Sequence, residues 1–262
     1  MSTSESTAFR GTIVALGGGG FSMSETGESA IDDELVRMAA RRIRGGAEDE
    51  AGAQSGFGAS VGLPNVVPTA SGDSRDYIER FEAAFEARAR THVLSLFGQS
   101  PWDYQDPSML LDMDLIYVGG GSTANLLSLW RRHGVDQRMR EAAAGGTILA
   151  GISAGANCWF EASSTDSFGP LAPLNDGLGF LQGSACPHFH GEPGRKESFR
   201  EWIAQGRLPG PGIAIDDHAA VVYVDGAATS VMVESTGARA LVVDTGGRLH
   251  NLDEHRPVAP VS

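Results

Sequence analysis

Residues 147–160 read TILAGISAGANCWF, and this stretch decides between fold classes. TILAGI is a short continuous apolar run, the pattern of a strand buried on both faces, and ANCWFE has the composition to open a helix. Between them stands Ser153, with Gly151 and Gly155 two residues away on either side. The pattern fits the GxSxG nucleophile elbow, in which flanking glycines permit a sharp strand-to-helix turn that lifts the serine hydroxyl above the sheet. A helix starting there would also offer its first backbone N–H groups to an oxyanion.

The segments before the elbow alternate in the same way. VGLPNVVPTA, THVLSLFG and DMDLIYVGGG read as strands, SRDYIERFEAAFEARA as an amphipathic helix, and TANLLSLWRRHGVDQRMREAAAGG as two helical segments. Strands alternating with helices of this length imply crossover connections and a mostly parallel sheet flanked by helices, an α/β fold. Reactive sites in such sheets lie at the carboxyl ends of the strands, where both GISAG and the GGGS turn at 119–122 fall. Farther upstream, GTIVALGGGG is a strand running into a glycine loop without the GxGxxG spacing of a dinucleotide site, so we read the loop as chain passing close to other backbone. IDDELVRMAARRI sets Ile31, Leu35, Met38 and Ala39 on one helical face.

Residues 1–10 are polar and predict a loose tail; the rest, 11–262, reads as a single α/β domain with a flexible glycine-rich insertion near 43–59. Past residue 190, KESFREWIAQG reads as a helix. The segments GIAIDDHAAVVYVDG, TSVMVES and ALVVDTGGRL are short strands between glycine turns, predicting a C-terminal antiparallel extension.

With 262 residues and 41% hydrophobic content the chain can bury a sizeable core. No apolar run approaches the roughly 18–20 residues that span a bilayer, and MSTSESTAFRGT has neither a basic start nor a signal core; a cytoplasmic location is expected. The formal net charge of −13 argues against nucleic acid or an anionic membrane as partner, because both require a basic footprint. Cys158 and Cys186 are too few for a disulfide framework and read as partly buried thiols.

A serine hydroxyl needs a base and an orienting group to act as a nucleophile. His188 and His190, in CPHFHGE, are the histidines that follow the elbow soonest. An ordinary α/β-hydrolase would draw its histidine from near the chain end, which here means His250 or His255. The HxH spacing with Glu192 raises a metal possibility, but no further ligand cluster accompanies it, and neither a metal nor another cofactor is expected.

PTASGD (68–73), VGGGSTANLL (118–127), GISAGANCWF (151–160), TDS (165–167) and CPHFHGE (186–192) occur in one order. In these motifs the stretch from about 63 to 205 resembles peptidase E, the aspartyl dipeptidase family of serine peptidases, whose fold is similar to class I glutamine amidotransferases. The resemblance implies Ser153 as nucleophile, His188 as general base and Asp166 as third member, with Glu161 and Asp176 as alternatives. It implies an oxyanion hole from the Gly121 and Ala154 N–H groups, and a role for Arg195 and Arg200 in binding an N-terminal aspartate. The expected activity is hydrolysis of small peptides by a monomer or homodimer. A cyanophycinase-like hydrolase of aspartyl polymers and a non-catalytic peptide-binding homologue are the competing readings.

Overall fold

The computed structural model describes residues 8–45, 64–98, 100–252 and 255–257. Its elements run β1 (Thr12–Leu16), α1 (Gly20–Met23), α2 (Ala30–Gly45), β2 (Pro64–Val67), α3 (Arg75–Phe85), β3 (His92–Val93), β4 (Leu115–Val118), α4 (Thr123–His133), α5 (Val135–Ala144), β5 (Ile148–Ile152) and α6 (Ala154–Asn157). The second half comprises β6 (Phe160–Thr165), β7 (Ala172–Leu174), β8 (Leu181–Cys186), α7 (Arg195–Ala204), β9 (Gly212–Ile215), β10 (Ala219–Val224), β11 (Ala227–Val233), β12 (Ala240–Val243), β13 (Leu249–Asn251) and β14 (His255–Pro257). One sheet has the order β14-β11-β10-β1-β5-β4-β2-β3, and a second has β13-β12-β9-β8-β6-β7.

The apolar run ILAGI forms β5, buried at every position, between β1 and β4 and parallel to both. Alternate residues of these strands enter different cores, as the two-residue period of a strand requires. Ile13, Ala15, Ile116, Val118 and Leu149 pack with Trp130, Trp159 and Phe180. Val14, Leu16, Leu115, Tyr117, Ala150 and Ile152 pack with Phe21, Phe81 and Phe85. A central sheet covered on both faces is the α/β architecture the alternating pattern predicts. The helix starting at Ala30 points Ile31, Leu35 and Ala39 inward as expected, with Met38 partly buried against the same core. Ser122 caps α4 by accepting a hydrogen bond from the Asn125 N–H, and Gly134, at φ 70°, turns the chain from α4 into α5.

Three expectations change. The helix after the elbow is a single turn: Trp159 leaves it, and FEASST continues as β6 because Phe160, Ala162, Ser163, Ser164 and Thr165 are buried against β8 and β7. The C-terminal strands are not one extension. β10 and β11 join the first sheet antiparallel beside β1, whereas β9 lies parallel to β8 in the second sheet and β12 and β13 continue it antiparallel. Finally, the tail is anchored before residue 10, since Phe9 is buried and stacks on Phe180 with ring centroids 5.1 Å apart; residues 1–7 lie outside the described residues. Of the glycine-rich stretch at 43–59, residues 43–45 close α2, and the rest lies outside the described residues. Among the described residues no helix is long and apolar enough to cross a membrane.

Candidate active site

Leu16 of β1 pairs with Ile152 of β5, so the two strands end side by side. Ser153 follows at φ 55° and ψ −112°, a backbone region that non-glycine residues rarely adopt, and α6 begins at the next residue. Strain of this kind costs on the order of 1–3 kcal/mol and persists where surrounding structure over-determines it. Three backbone bonds do so: the Ser153 N–H donates to Leu16 O (3.2 Å), and its carbonyl accepts from the Ala156 and Asn157 N–H groups (3.0 and 2.9 Å). The flanking glycines serve close approach rather than unusual φ. A Cβ on Gly151 would lie 2.3 Å from Gly155 O, and one on Gly155 2.3 Å from Val118 O.

The second glycine turn follows β4. A Cβ built on Gly120 would stand 3.4 Å from Ser153 Cβ and 3.9 Å from its Oγ, so Gly120 is the glycine packed against the serine side chain. Gly121, at φ 134°, abuts Ala70, where a Cβ would come within 2.1 Å of the carbonyl oxygen; Ser122 N–H donates to that same oxygen (2.8 Å). Ala154 is the first residue of α6, and its N–H therefore has no acceptor within the helix.

His188 lies just beyond the end of β8, also at positive φ (53°). Its N–H donates to Gly17 O (3.2 Å), and its Nδ1 lies 2.5 Å from Oδ1 of Asp217. Asp217 sits in the short connection between β9 and β10 and forms an isolated parallel bridge with Gly18. The glycine loop after β1 is what these groups share. A Cβ on Gly18 would fall 1.9 Å from Asp217 Oδ1 and 2.8 Å from His188 Nδ1. The hydrogen bond to His188 is the main reason the Asp217 carboxyl is held below its usual pKa, against the opposing effect of partial burial, with further help from His218 and Arg195.

Of the residues expected from sequence, the structure brings Ser153, His188 and the two glycine turns to one end of the strands. Asp166 is not beside His188: it is 56% exposed, and its Oδ2 lies 3.7 Å from Arg195 Nη2. The alternatives are engaged elsewhere, Glu161 accepting from the Gly183 N–H (2.8 Å) and Asp176 pairing with Arg131 (2.7 Å). Asp217, the carboxylate that meets His188, lies outside the segment between Ser153 and His188 that holds the three acids the resemblance implies. Its available signal is the acidic pair Asp216–Asp217 set inside the apolar run GIAIDDHAAVVYV, since two adjacent carboxylates interrupting strand sequence call for partners.

His190 repeats the pairing next door, with Nδ1 2.6 Å from Asp216 Oδ1. Each imidazole of the HxH motif thus has its own carboxylate, and no group of three metal-binding side chains occurs among the described residues. His250 pairs with Asp244 on the surface. Arg200 donates to the Gly247 carbonyl at 2.8 Å and so ties α7 to the turn before β13. Arg195, by contrast, is 3% exposed and donates from Nε to Glu192 Oε2 at 2.5 Å. Cys186, a free thiol pushed up to about 12 by burial, lies against Ser164 and Arg195.

The sequence profile of peptidase family S51 matches residues 64–231, more than half of the chain. The chain is 41% identical over 232 residues to the "Uncharacterized peptidase YgaJ" of Bacillus subtilis, covering 87% of this chain and 90% of that one. It is 31% identical over 119 residues to a Peptidase E of Streptomyces coelicolor, covering 41% of this chain and 49% of the relative. Among solved structures, that of a peptidase from an acI-B1 actinobacterium superposes with a TM-score of 0.64 at 18% identity, covering 94% of this chain and 96% of the other. A putative Peptidase E protein from Listeria monocytogenes superposes with a TM-score of 0.56 at 19% identity, covering 87% and 100%; at such identities these two likenesses speak for the fold alone. With its profile match and a relative aligned over most of both chains, this chain belongs to peptidase family S51, the peptidase E family, and is a peptidase.

Proposed function

We propose that the protein is a serine peptidase of small peptides with an N-terminal aspartate, and that Ser153, His188 and Asp217 are its nucleophile, general base and orienting acid. One observation carries the reading: consecutive residues at the end of β1 hold all three. Leu16 O accepts from Ser153 N–H, Gly17 O accepts from His188 N–H, and Gly18 bridges Asp217. The 2.5 Å contact between His188 Nδ1 and Asp217 leaves Nε2 as the ring nitrogen that can take the serine proton.

In the reaction, His188 Nε2 accepts the hydroxyl proton as Ser153 Oγ bonds to the substrate carbonyl carbon. The Ala154 and Gly121 N–H groups donate to the oxyanion, and the turn that carries Gly121 is set close to Ser153 by Gly120, where a Cβ would meet the serine side chain. Collapse of the tetrahedral intermediate breaks the peptide C–N bond, and His188 returns its proton to the leaving amine. Water then attacks the acyl-serine, gives a proton to His188, and the ester bond to Oγ breaks as that proton returns to the serine. Asp217, ionised at neutral pH, accepts the Nδ1–H and stabilises the imidazolium throughout. Arg195 supplies the cation for the substrate carboxylate, since a guanidinium fork suits that geometry; Arg200, committed to Gly247 O, has no such role.

The experiment compares hydrolysis of aspartyl-p-nitroanilide by the wild type, Ser153→Ala, Asp217→Asn and Asp166→Asn. Ser153→Ala falls to background, Asp217→Asn loses about a thousand- to ten-thousand-fold in kcat, and Asp166→Asn keeps kcat within about threefold. Wild-type turnover by Asp217→Asn, or a large loss confined to Asp166→Asn, would sink the assignment.

A further inference from the structure

Arg195 is the first residue of α7, preceded by Gly194 at φ 82°. Its side chain is buried, yet its donors are unequally used. Nε donates to Glu192 Oε2 at 2.5 Å, Nη2 lies 3.7 Å from Asp166 Oδ2, and Nη1 is buried without a partner. Two more buried polar atoms nearby lack partners, Ser164 Oγ and Asn157 Oδ1. They belong to one neighbourhood: Asn157 Nδ2 donates to Ser164 O (3.1 Å), and Cys186 touches both Ser164 and Arg195. That neighbourhood adjoins the triad, because Asn157 closes the single-turn helix opened after Ser153, and the Arg195 charge reaches Asp217. Cys186 Sγ, a weak acceptor, is the neighbour that Arg195 and Ser164 share, so the buried guanidinium keeps an N–H without a strong acceptor, and folding does not leave such groups poorly matched without cause.

The charge count bears on what that acceptor is. Arg195 contributes one positive charge, but Glu192 and Asp166 bring two carboxylates to its edges. An incoming aspartyl carboxylate would be the third. It can be accommodated at full strength only if one resident carboxylate yields. Glu192 is the one built to do so: its side chain is 45% exposed, so it can rotate into water without unpacking the core. We propose that Glu192 is a specificity-determining internal competitor, a carboxylate that occupies Arg195 in the free enzyme and must be displaced by the acidic side chain of the substrate. This rests on the aspartyl reading given above. It gives the enzyme a threshold: ligands that accept two hydrogen bonds from the guanidinium displace Glu192, whereas uncharged side chains use only the free Nη1–H.

The test measures KM and kcat of the wild type, Glu192→Gln and Glu192→Ala on aspartyl- and asparaginyl-p-nitroanilide, with thermal melting to verify that each variant is folded. Removing the competing charge lowers KM for the aspartyl substrate about tenfold in both variants, leaves kcat within about twofold, and leaves the asparaginyl KM unchanged. If Glu192 merely holds Arg195 in place, the aspartyl KM rises or stays constant in folded variants, and the proposal is overturned while the aspartyl reading survives. If neither wild type nor variants cleave the aspartyl anilide but all cleave other peptides, the aspartyl reading itself falls, and the competitor with it.

Discussion

The glycine loop that follows β1 is flanked by two carboxylates with opposite fates. On one side Asp217 is partly exposed, meets His188 at 2.5 Å and is held below its ordinary pKa by that hydrogen bond. On the other side Asp32 is fully buried and accepts from the Phe21 N–H at 2.6 Å. Its second oxygen has no partner, and desolvation raises its pKa to about 7. A Cβ on Gly20 would fall 3.2 Å from that oxygen and 2.7 Å from the buried, unpaired Tyr117 hydroxyl. Of the two charges that act on Asp32, the anion Glu234 raises its pKa further and Arg88, acting more weakly, lowers it; Glu234 accepts from Ser29 Oγ (2.6 Å) and Ile31 N–H (3.2 Å) and pairs with His218. The loop is thus clamped by a carboxylate that works as a charge facing His188 on one side and by one that works as a backbone acceptor on the other. Burial alone does not decide how a carboxylate is charged; the partner does.

The comparison can be broken from either side. Gly18→Ala puts a methyl group where Asp217 Oδ1 and His188 Nδ1 meet. We expect a fall of roughly a hundred- to a thousand-fold in kcat, from the misaligned base, in a protein that still folds; unchanged kcat would mean that the pair does not orient the base. Asp32→Asn tests the other side and has a definite sign. The folded state keeps a proton on Asp32 that the unfolded chain releases near its ordinary pKa of 3.8. The stability contribution of Asp32 is therefore complete below about pH 4, is lost as pH rises towards 7, and changes little beyond. The asparagine variant, which does not titrate, should exceed the wild type by a few kcal/mol at pH 8 and match it near pH 4, with kcat retained. Melting curves at both pH values check this, and a variant less stable at pH 8 would show that the ionised carboxylate is needed. The smallest effect is expected from Glu234→Gln, which keeps a hydrogen-bonding side chain but removes the charge facing His218 and Asp32; a loss of roughly 1 kcal/mol in melting and less than tenfold in kcat follows, read by parallel melting and turnover assays.

How much was legible in sequence varies with the range of the interaction. Ser153 could be found because a strand, a tight turn and a helix start are local, and GxSxG spells all three. His188 could be found because CPHF lies within a series of ordered motifs. Asp217 is harder to find, because it reaches His188 only when the connection between β9 and β10 meets the loop after β1, a contact across some 200 residues of chain; the acidic pair in GIAIDDHAAVVYV marks a need for partners but does not say which partner. Arg195 and Arg200 illustrate the same limit. Five residues apart on one helix, they look equivalent in GRKESFREW, yet one is buried beside Ser164 and Cys186 and the other is tied to the Gly247 carbonyl.

By itself the sequence determined the parallel α/β core, through apolar runs alternating with amphipathic helices, and the place of Ser153, the proposed nucleophile, on a tight strand-to-helix turn, through the small residues such a turn must have beside it. The tertiary structure alone decided which carboxylate meets His188, which of the two arginines is buried, and why the loop after β1 is glycine. These outcomes depend on space and charge between distant segments. A Cβ at Gly18 would exclude the pair, and only assembly of the two sheets around that loop brings the pair into being.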